Sequence, residues 1–157
     1  ILPTVPHVAA LVHAGTANWD QKPEIIVDTA GKWQAFGEAD AALIASGTVS
    51  LELALAGVPL VSCYKLDPVA RALRSLVTVW SALLPNLIAD RPVAPEFYDG
   101  YALPGTLARS LEALFADTAL RLWQKDGFAE VRRRMATARP SGEIAAEIVM
   151  KAVGSRQ

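Results

Sequence analysis

The chain has 157 residues, 15 basic and 16 acidic side chains, a formal charge of −1 and 52% hydrophobic residues. That length and apolar content suffice for one domain with a sizeable core and exclude a disordered polyelectrolyte. Charges of both signs are interspersed without a basic stripe, which removes the electrostatic basis for nucleic-acid binding, and no apolar run reaches the roughly 18 to 20 residues that a membrane-spanning helix needs.

In chain order, Ile1 to Val5 reads as a strand, and Pro6 opens a helix from Val8 to His13. Glu24 to Asp28 is β-branched and bounded by Pro23 and by Thr29-Ala30-Gly31, so it reads as a second strand, followed by a short helix from Trp33 to Glu38. Asp40 to Ala45 supplies a third strand and Val49 to Ala56 its helix. Gly57 and Pro59 end that helix before a fourth strand running through Tyr64. This alternation predicts an α/β fold, a Rossmann-like parallel sheet with flanking helices.

Beyond Lys65 the pattern changes. Pro68 starts a helix, and Leu73, Leu76, Val77 and Trp80 form a stripe between Val69 and Trp80 with Arg71 and Arg74 interleaved. The stripe suits a core or subunit contact, and also a lipid surface. Leu84 to Leu87 and the proline-rich segment from Arg91 to Phe97 read as loops. Thr106 to Phe115, Thr118 to Met135 and Ile144 to Val153 read as helices, with Arg132-Arg133-Arg134 as a solvated face. Residues 1–100 are expected to form an incomplete nucleotide-sugar domain, and 101–157 C-terminal helices packing on it or on a domain outside the chain. Ile1 is not methionine, so a longer polypeptide is expected.

The most informative stretch is Ser46-Gly47-Thr48 with Glu52 four positions on. A strand turning into a helix there aims several backbone N–H groups at whatever lies beyond the helix N-terminus, and a phosphate suits them. At 100° per residue Glu52 shares its face with Thr48, Val49, Leu55 and Ala56, none of them charged. A carboxylate in that company calls for a partner, and the hydroxyl groups of a ribose would serve. The alternative is a glutamate facing solvent and favoured by the helix dipole. A capping box does not apply, because Leu51 stands where that device needs Glu or Gln. His7 and His13 have no carboxylate or cysteine at ligand spacing, and Cys63 in the apolar run Val58 to Tyr64 reads as a buried reduced thiol, so no metal, cofactor or disulfide is expected.

Ala39-Asp40-Ala41-Ala42, Ala45-Ser46-Gly47-Thr48, Leu51 through Pro59, Tyr64-Lys65, Leu84-Pro85-Asn86-Leu87 and Pro95-Glu96-Phe97 occur in order. Together they resemble the C-terminal half of lipid-A-disaccharide synthase, a glycosyltransferase of the GT-B architecture, family 19. Tyr98-Asp99 departs from the family's usual continuation after Pro-Glu-Phe. The resemblance implies a metal-independent, inverting transfer of 2,3-diacylglucosamine from UDP-2,3-diacylglucosamine to 2,3-diacylglucosamine 1-phosphate, a lipid acceptor, on the cytoplasmic face of the inner membrane of Gram-negative bacteria. It assigns Ser46, Gly47 and Thr48 to the UDP diphosphate and Glu52 to the ribose. Asp28 and Thr29 are weaker candidates for uracil. Lys65 and Asn86 match positions near the cleft, although Lys65 also reads as a strand-end lysine in solvent and Asn86 as a turn former. No catalytic residue is expected within the chain, and the chain alone is expected to be inactive. A homodimer is compatible with the family's exchange of C-terminal segments between subunits. Two other readings stay open: another UDP-sugar transferase of this architecture, such as the one that forms lipid II, and a non-catalytic self-association module.

Overall fold

Short apolar runs become parallel strands wherever a helix can return the chain, and two such groups form. The computed structural model describes residues 1–45, 47–66 and 79–154. In the first group β1 (Leu2–Pro3) and β2 (Ile25–Ile26) pair in parallel, with Leu2 opposite Ile25. A 3₁₀ turn (Pro6–Val8) and α1 (Ala9–Thr16) connect them. Helix α2 (Thr29–Glu38) follows, capped by Asp28, whose carboxylate accepts the Gly31 N–H at 2.7 Å.

The second group is a three-stranded parallel sheet in the order β3 (Ala42–Ile44), β4 (Leu60–Tyr64) and β5 (Glu96–Tyr98). Helix α3 (Thr48–Ala56) links β3 to β4. It ends in a Schellman arrangement: Gly57 sits at φ 80°, and the Val58 N–H returns to the Leu53 carbonyl at 3.0 Å. Helix α4 (Leu84–Ala89) precedes β5, a second 3₁₀ turn (Asp99–Tyr101) follows it, and α5 (Pro104–Glu112), α6 (Ala119–Met135) and α7 (Ser141–Gly154) complete the chain.

Two expectations need correction. Leu84 to Leu87 is a helix rather than a loop, because Pro85 occupies the first turn, where its absent N–H costs nothing. Glu96 to Phe97 is not loop but part of β5, with Ser62 opposite Glu96 and Cys63 opposite Phe97. Only three residues long and half-buried throughout, β5 carries no alternation to betray it. Most of the expected stripe, Leu73, Leu76 and Val77 with Pro68, Arg71 and Arg74, lies outside the described residues, as does Ser46; Trp80 is exposed.

The core lies between the three-stranded sheet and α3, α4 and α6, where Leu53, Leu60, Leu83, Val93, Phe128 and Val131 are all buried. Two buried carboxamides complete the sheet where its strands run out. Ser62 donates to Pro95, so β4 turns alternate backbone groups toward β5, but β5 begins too late to meet Leu60. Gln124 of α6 takes that place, accepting the Leu60 N–H at 2.8 Å and donating to its carbonyl at 3.0 Å. Asn86 of α4 does the same for the approach to β5. Its oxygen accepts the N–H groups of Val93 and Ala94, and its nitrogen donates to the Ala94 carbonyl and to Glu96.

Helix α6 approaches this approach segment so closely that a Cβ on Gly127 would lie 2.4 Å from Val93 Cγ1, whereas one on Gly37 of α2 would meet nothing within 4 Å. Gly127→Ala is therefore expected to lower the unfolding free energy by about 1–3 kcal/mol through overpacking. Gly37→Ala is expected to raise it by about 0.5–1 kcal/mol through reduced backbone entropy. Urea denaturation of the two variants gives opposite signs if the close approach is real.

Candidate functional site

At the carboxyl end of β3 the chain turns into α3 through Gly47, which holds φ 88° and ψ −157°. That region of backbone space belongs almost solely to glycine, and a side chain there costs about 1–3 kcal/mol. Among the described residues no side chain caps α3. Ser50 spends both its N–H (3.1 Å) and its hydroxyl (2.7 Å) on the Gly47 carbonyl, leaving the Thr48 and Val49 amides to open the helix. Among the described residues, its chain neighbours aside, nothing lies within 4 Å of where a Gly47 Cβ would be. The junction thus combines exposed amides, the positive end of a helix dipole and room for a group to approach.

Glu52 lies one turn further along α3, where a cleft of about 920 Å³ opens between β1 and β3 with α2 and α3 beneath it. Thr48 and Glu52 both line it. Glu52 does have a protein partner, which the uncharged composition of its own helix face did not foretell. Lys32 of α2 donates to both of its oxygens, at 2.9 and 3.0 Å. The two side chains are 27% and 26% exposed, so solvent still reaches the pair. Lys32 also lies 5.1 Å from the Trp33 ring centroid and 5.8 Å from that of Phe36. Spacing along the sequence could not have found Lys32, since the pair is 20 residues apart and depends on α2 packing against α3.

The remaining candidates fall elsewhere. Asp28 and Thr29 are exposed at the start of α2. The Asp28 carboxylate caps its helix and lines a second cavity of about 300 Å³ with Glu24 and Glu38. Lys65 is exposed just past β4 and lies outside the cleft lining. Asn86 is buried, 1% exposed, with both ends of its amide engaged inside the protein. Those bonds hold the approach to β5 in place.

Sequence reasoning also passed over Glu96, which accepts hydrogen bonds from the Ser81 hydroxyl, the Asn86 amide and the Ala82 N–H and so ties β5 to the start of α4. The sequence motifs that contain Tyr64 and Tyr98 did not foretell that these residues, at the carboxyl ends of β4 and β5, cluster with Tyr101 of the following 3₁₀ turn. Tyr64 stacks on Tyr98 at 6.0 Å, and Tyr98 meets Tyr101 edge-on at 5.9 Å.

The arginine run is less idle than a solvated face. Arg132 and Arg134 donate to the Leu55 and Ile88 carbonyls at the ends of α3 and α4, and Arg134 also pairs with Glu130 at 2.6 Å. Glu130 is drawn below the ordinary carboxylate range: desolvation pushes its pKa upward, and the Arg91 hydrogen bond and the Arg134 charge outweigh that push. Cys63 is half-buried rather than buried, and desolvation raises its thiol pKa. Among the described residues no three His, Cys, Asp or Glu side chains gather as a metal site.

Residues 7–149 match the family model described as Lipid-A-disaccharide synthetase. The chain belongs to that family. It is similar to the lipid-A-disaccharide synthase of Bradyrhizobium diazoefficiens, 40% identical over 152 residues, covering 96% of this chain and 39% of that protein. The enzyme of the same name from Nitrobacter winogradskyi is 40% identical over 155 residues, covering 98% of this chain and 39% of its own length. That of Rhodospirillum centenum is 38% identical over 158 residues, covering 99% and 39%. The chain thus spans about two fifths of the length of these lipid-A-disaccharide synthases.

Two outcomes test this geometry. Because about a quarter of each side chain of the Lys32–Glu52 pair is exposed to solvent, Lys32→Met is expected to change stability by no more than about 1 kcal/mol in urea denaturation; a loss several times larger would mark the pair as buried. Because its thiol pKa is raised, Cys63 is expected to carry less thiolate at pH 8 than an unfolded cysteine. Its alkylation rate in the folded chain should therefore rise to half-maximum at higher pH than in denatured chain, and an unshifted profile would contradict the burial.

Proposed function

We propose that this chain forms the part of a lipid-A-disaccharide synthase that holds the UDP of the donor, within a glycosyltransferase of two Rossmann-like domains. The observation that carries the reading is the β3–α3 junction: a turn through a positive-φ glycine into helix amides that no described side chain caps, with a carboxylate one turn along the same cleft. Gly47 and the Thr48 and Val49 amides, with Ser46 next to them in sequence, receive the diphosphate, and Glu52 accepts hydrogen bonds from the ribose hydroxyls. Ligands of open parallel sheets gather beyond the carboxyl ends of the strands, which is where this turn lies.

In the reaction proposed, a hydroxyl of 2,3-diacylglucosamine 1-phosphate attacks the sugar C1 of UDP-2,3-diacylglucosamine, and the C1–O bond to UDP breaks. Negative charge develops on the departing diphosphate. Amides already aimed at it stabilise that charge without reorganising, which is how fixed dipoles lower a barrier. Lys32 adds a positive charge to the rim of the cleft and holds Glu52 in place until hydroxyls share the carboxylate. The acceptor and the base that deprotonates it are supplied by the rest of the full-length enzyme, and closure between domains brings them to the donor. An acylated acceptor places the enzyme on a membrane surface as a peripheral protein, the cytoplasmic face of the inner membrane. Among the described residues no helix is long and apolar enough to cross a membrane.

Titration calorimetry with UDP tests the reading. Removing a charged acceptor of two hydrogen bonds costs about 1.5–3 kcal/mol, so Glu52→Ala is expected to weaken UDP binding by about 10- to 100-fold. Gly47→Val is expected to abolish it, because the added side chain strains the turn and occupies the space through which the diphosphate approaches. Unchanged affinity in both variants, with folding intact by circular dichroism, would contradict the assignment.

A further inference from the structure

Charge is scarce in the cleft beside the β3–α3 junction. Of the described residues that line it, only Lys32 and Glu52 carry charged side chains, and the rest are apolar apart from the hydroxyls of Thr4 and Thr48. The two charges are matched to each other, since Lys32 Nζ donates to both Glu52 oxygens, at 2.9 and 3.0 Å.

Taken alone, Glu52 is the wrong group to stand near a diphosphate. At about 1.5 Å of rise per residue it lies about 6 Å along α3 from Thr48, whose amide opens the helix. Two unit charges about 6 Å apart shift an equilibrium by about 3-fold in bulk water and by about 100-fold at the effective dielectric of a protein surface. The helix end offers only about half a charge of the favourable sign. An unpaired Glu52 would therefore erase much of what the amides provide.

We infer that Lys32 is the residue that lets a ribose acceptor and a diphosphate share this cleft: as the counter-ion of Glu52 it cancels the carboxylate's repulsion of the diphosphate, and so sets the preference for UDP over uridine. The inference rests on the donor reading above and adds to it a residue that discriminates between ligands with and without phosphate. Pairing does not close the ribose subsite. A carboxylate offers about four lone-pair sites, of which the ammonium takes two, and the others remain for hydroxyl donors.

The ammonium is held at its post from both ends of the side chain. The Lys32 N–H bonds to the Asp28 carbonyl at 3.1 Å within the first turn of α2, a turn that the Asp28 carboxylate also caps through the Gly31 N–H. At the other end Nζ lies 5.1 Å from the Trp33 ring centroid and 5.8 Å from that of Phe36. Aromatic faces attract a cation without taking its N–H groups from Glu52. A guanidinium could serve the same two oxygens as a fork, whereas a methionine keeps the apolar stem and removes the charge.

Parallel titrations of the ¹⁵N-labelled chain with UDP and with uridine, followed at the Glu52 and Leu53 amides, test this. Lys32→Met is expected to weaken UDP at least about 5-fold while uridine, which carries no charge, binds as well as before or more tightly; Lys32→Arg is expected to keep both affinities within about 2-fold of wild type. Equal loss of both ligands in Lys32→Met would overturn the inference, since Lys32 would then only maintain the shape of the site. So would unchanged UDP affinity in Lys32→Met beside a loss in Glu52→Ala, a result that leaves the donor reading standing. If wild type does not bind UDP, or Glu52→Ala binds it equally well, the donor reading falls and this inference with it.

Discussion

The site depends on one backbone constraint: the chain enters α3 through Gly47, which holds φ 88° and ψ −157°, a conformation that strains any residue carrying a side chain. Ser50 bonds backward to the Gly47 carbonyl and so tightens the first turn without covering Thr48 and Val49. The other end of α3 is fixed with equal economy by Gly57 and Val58, which return the chain into β4. The helix is therefore pinned at both ends to neighbouring strands of one sheet, and its N-terminal amides are held still.

That rigidity is reinforced from below. Gln124 and Asn86 stand in for strand neighbours that the short β5 does not supply, and Glu96 ties β5 to the segment entering α4. Gln124 and Asn86 are buried and Glu96 half-buried, and a polar group removed from water and left unmatched costs more than a matched one gains. Each is matched. The result is a sheet whose Leu60, Val93 and Ala94 backbone groups are satisfied by side chains, with the cleft on its β3 side.

Much of this was legible in the sequence. The strand, turn and helix around Gly47 and the Gly57 terminus are written in local chemistry, apolar runs punctuated by glycine and proline, and both appear where expected. The short strand β5 and helix α4 were not legible, because Glu96 to Tyr98 pairs only through a distant β4 and Pro85 reads equally well as loop. Lys32 was invisible for a related reason. An ion pair across two helices is set by tertiary packing, whereas Glu52 could be judged only against its own helical face. Asn86 was noticed for its neighbours Leu-Pro, yet its burial reveals a structural duty that no local pattern encodes. Ser46 keeps its expected role from sequence alone, since it lies outside the described residues.

Backbone resonances read the central claim most directly. In a titration of the ¹⁵N-labelled chain, UDP is expected to shift the Gly47, Thr48 and Val49 amides, while uridine, which lacks the diphosphate, leaves them in place. Shifts from UDP confined to another surface, such as Arg132 to Arg134, with residues 47–49 unmoved, would contradict the account.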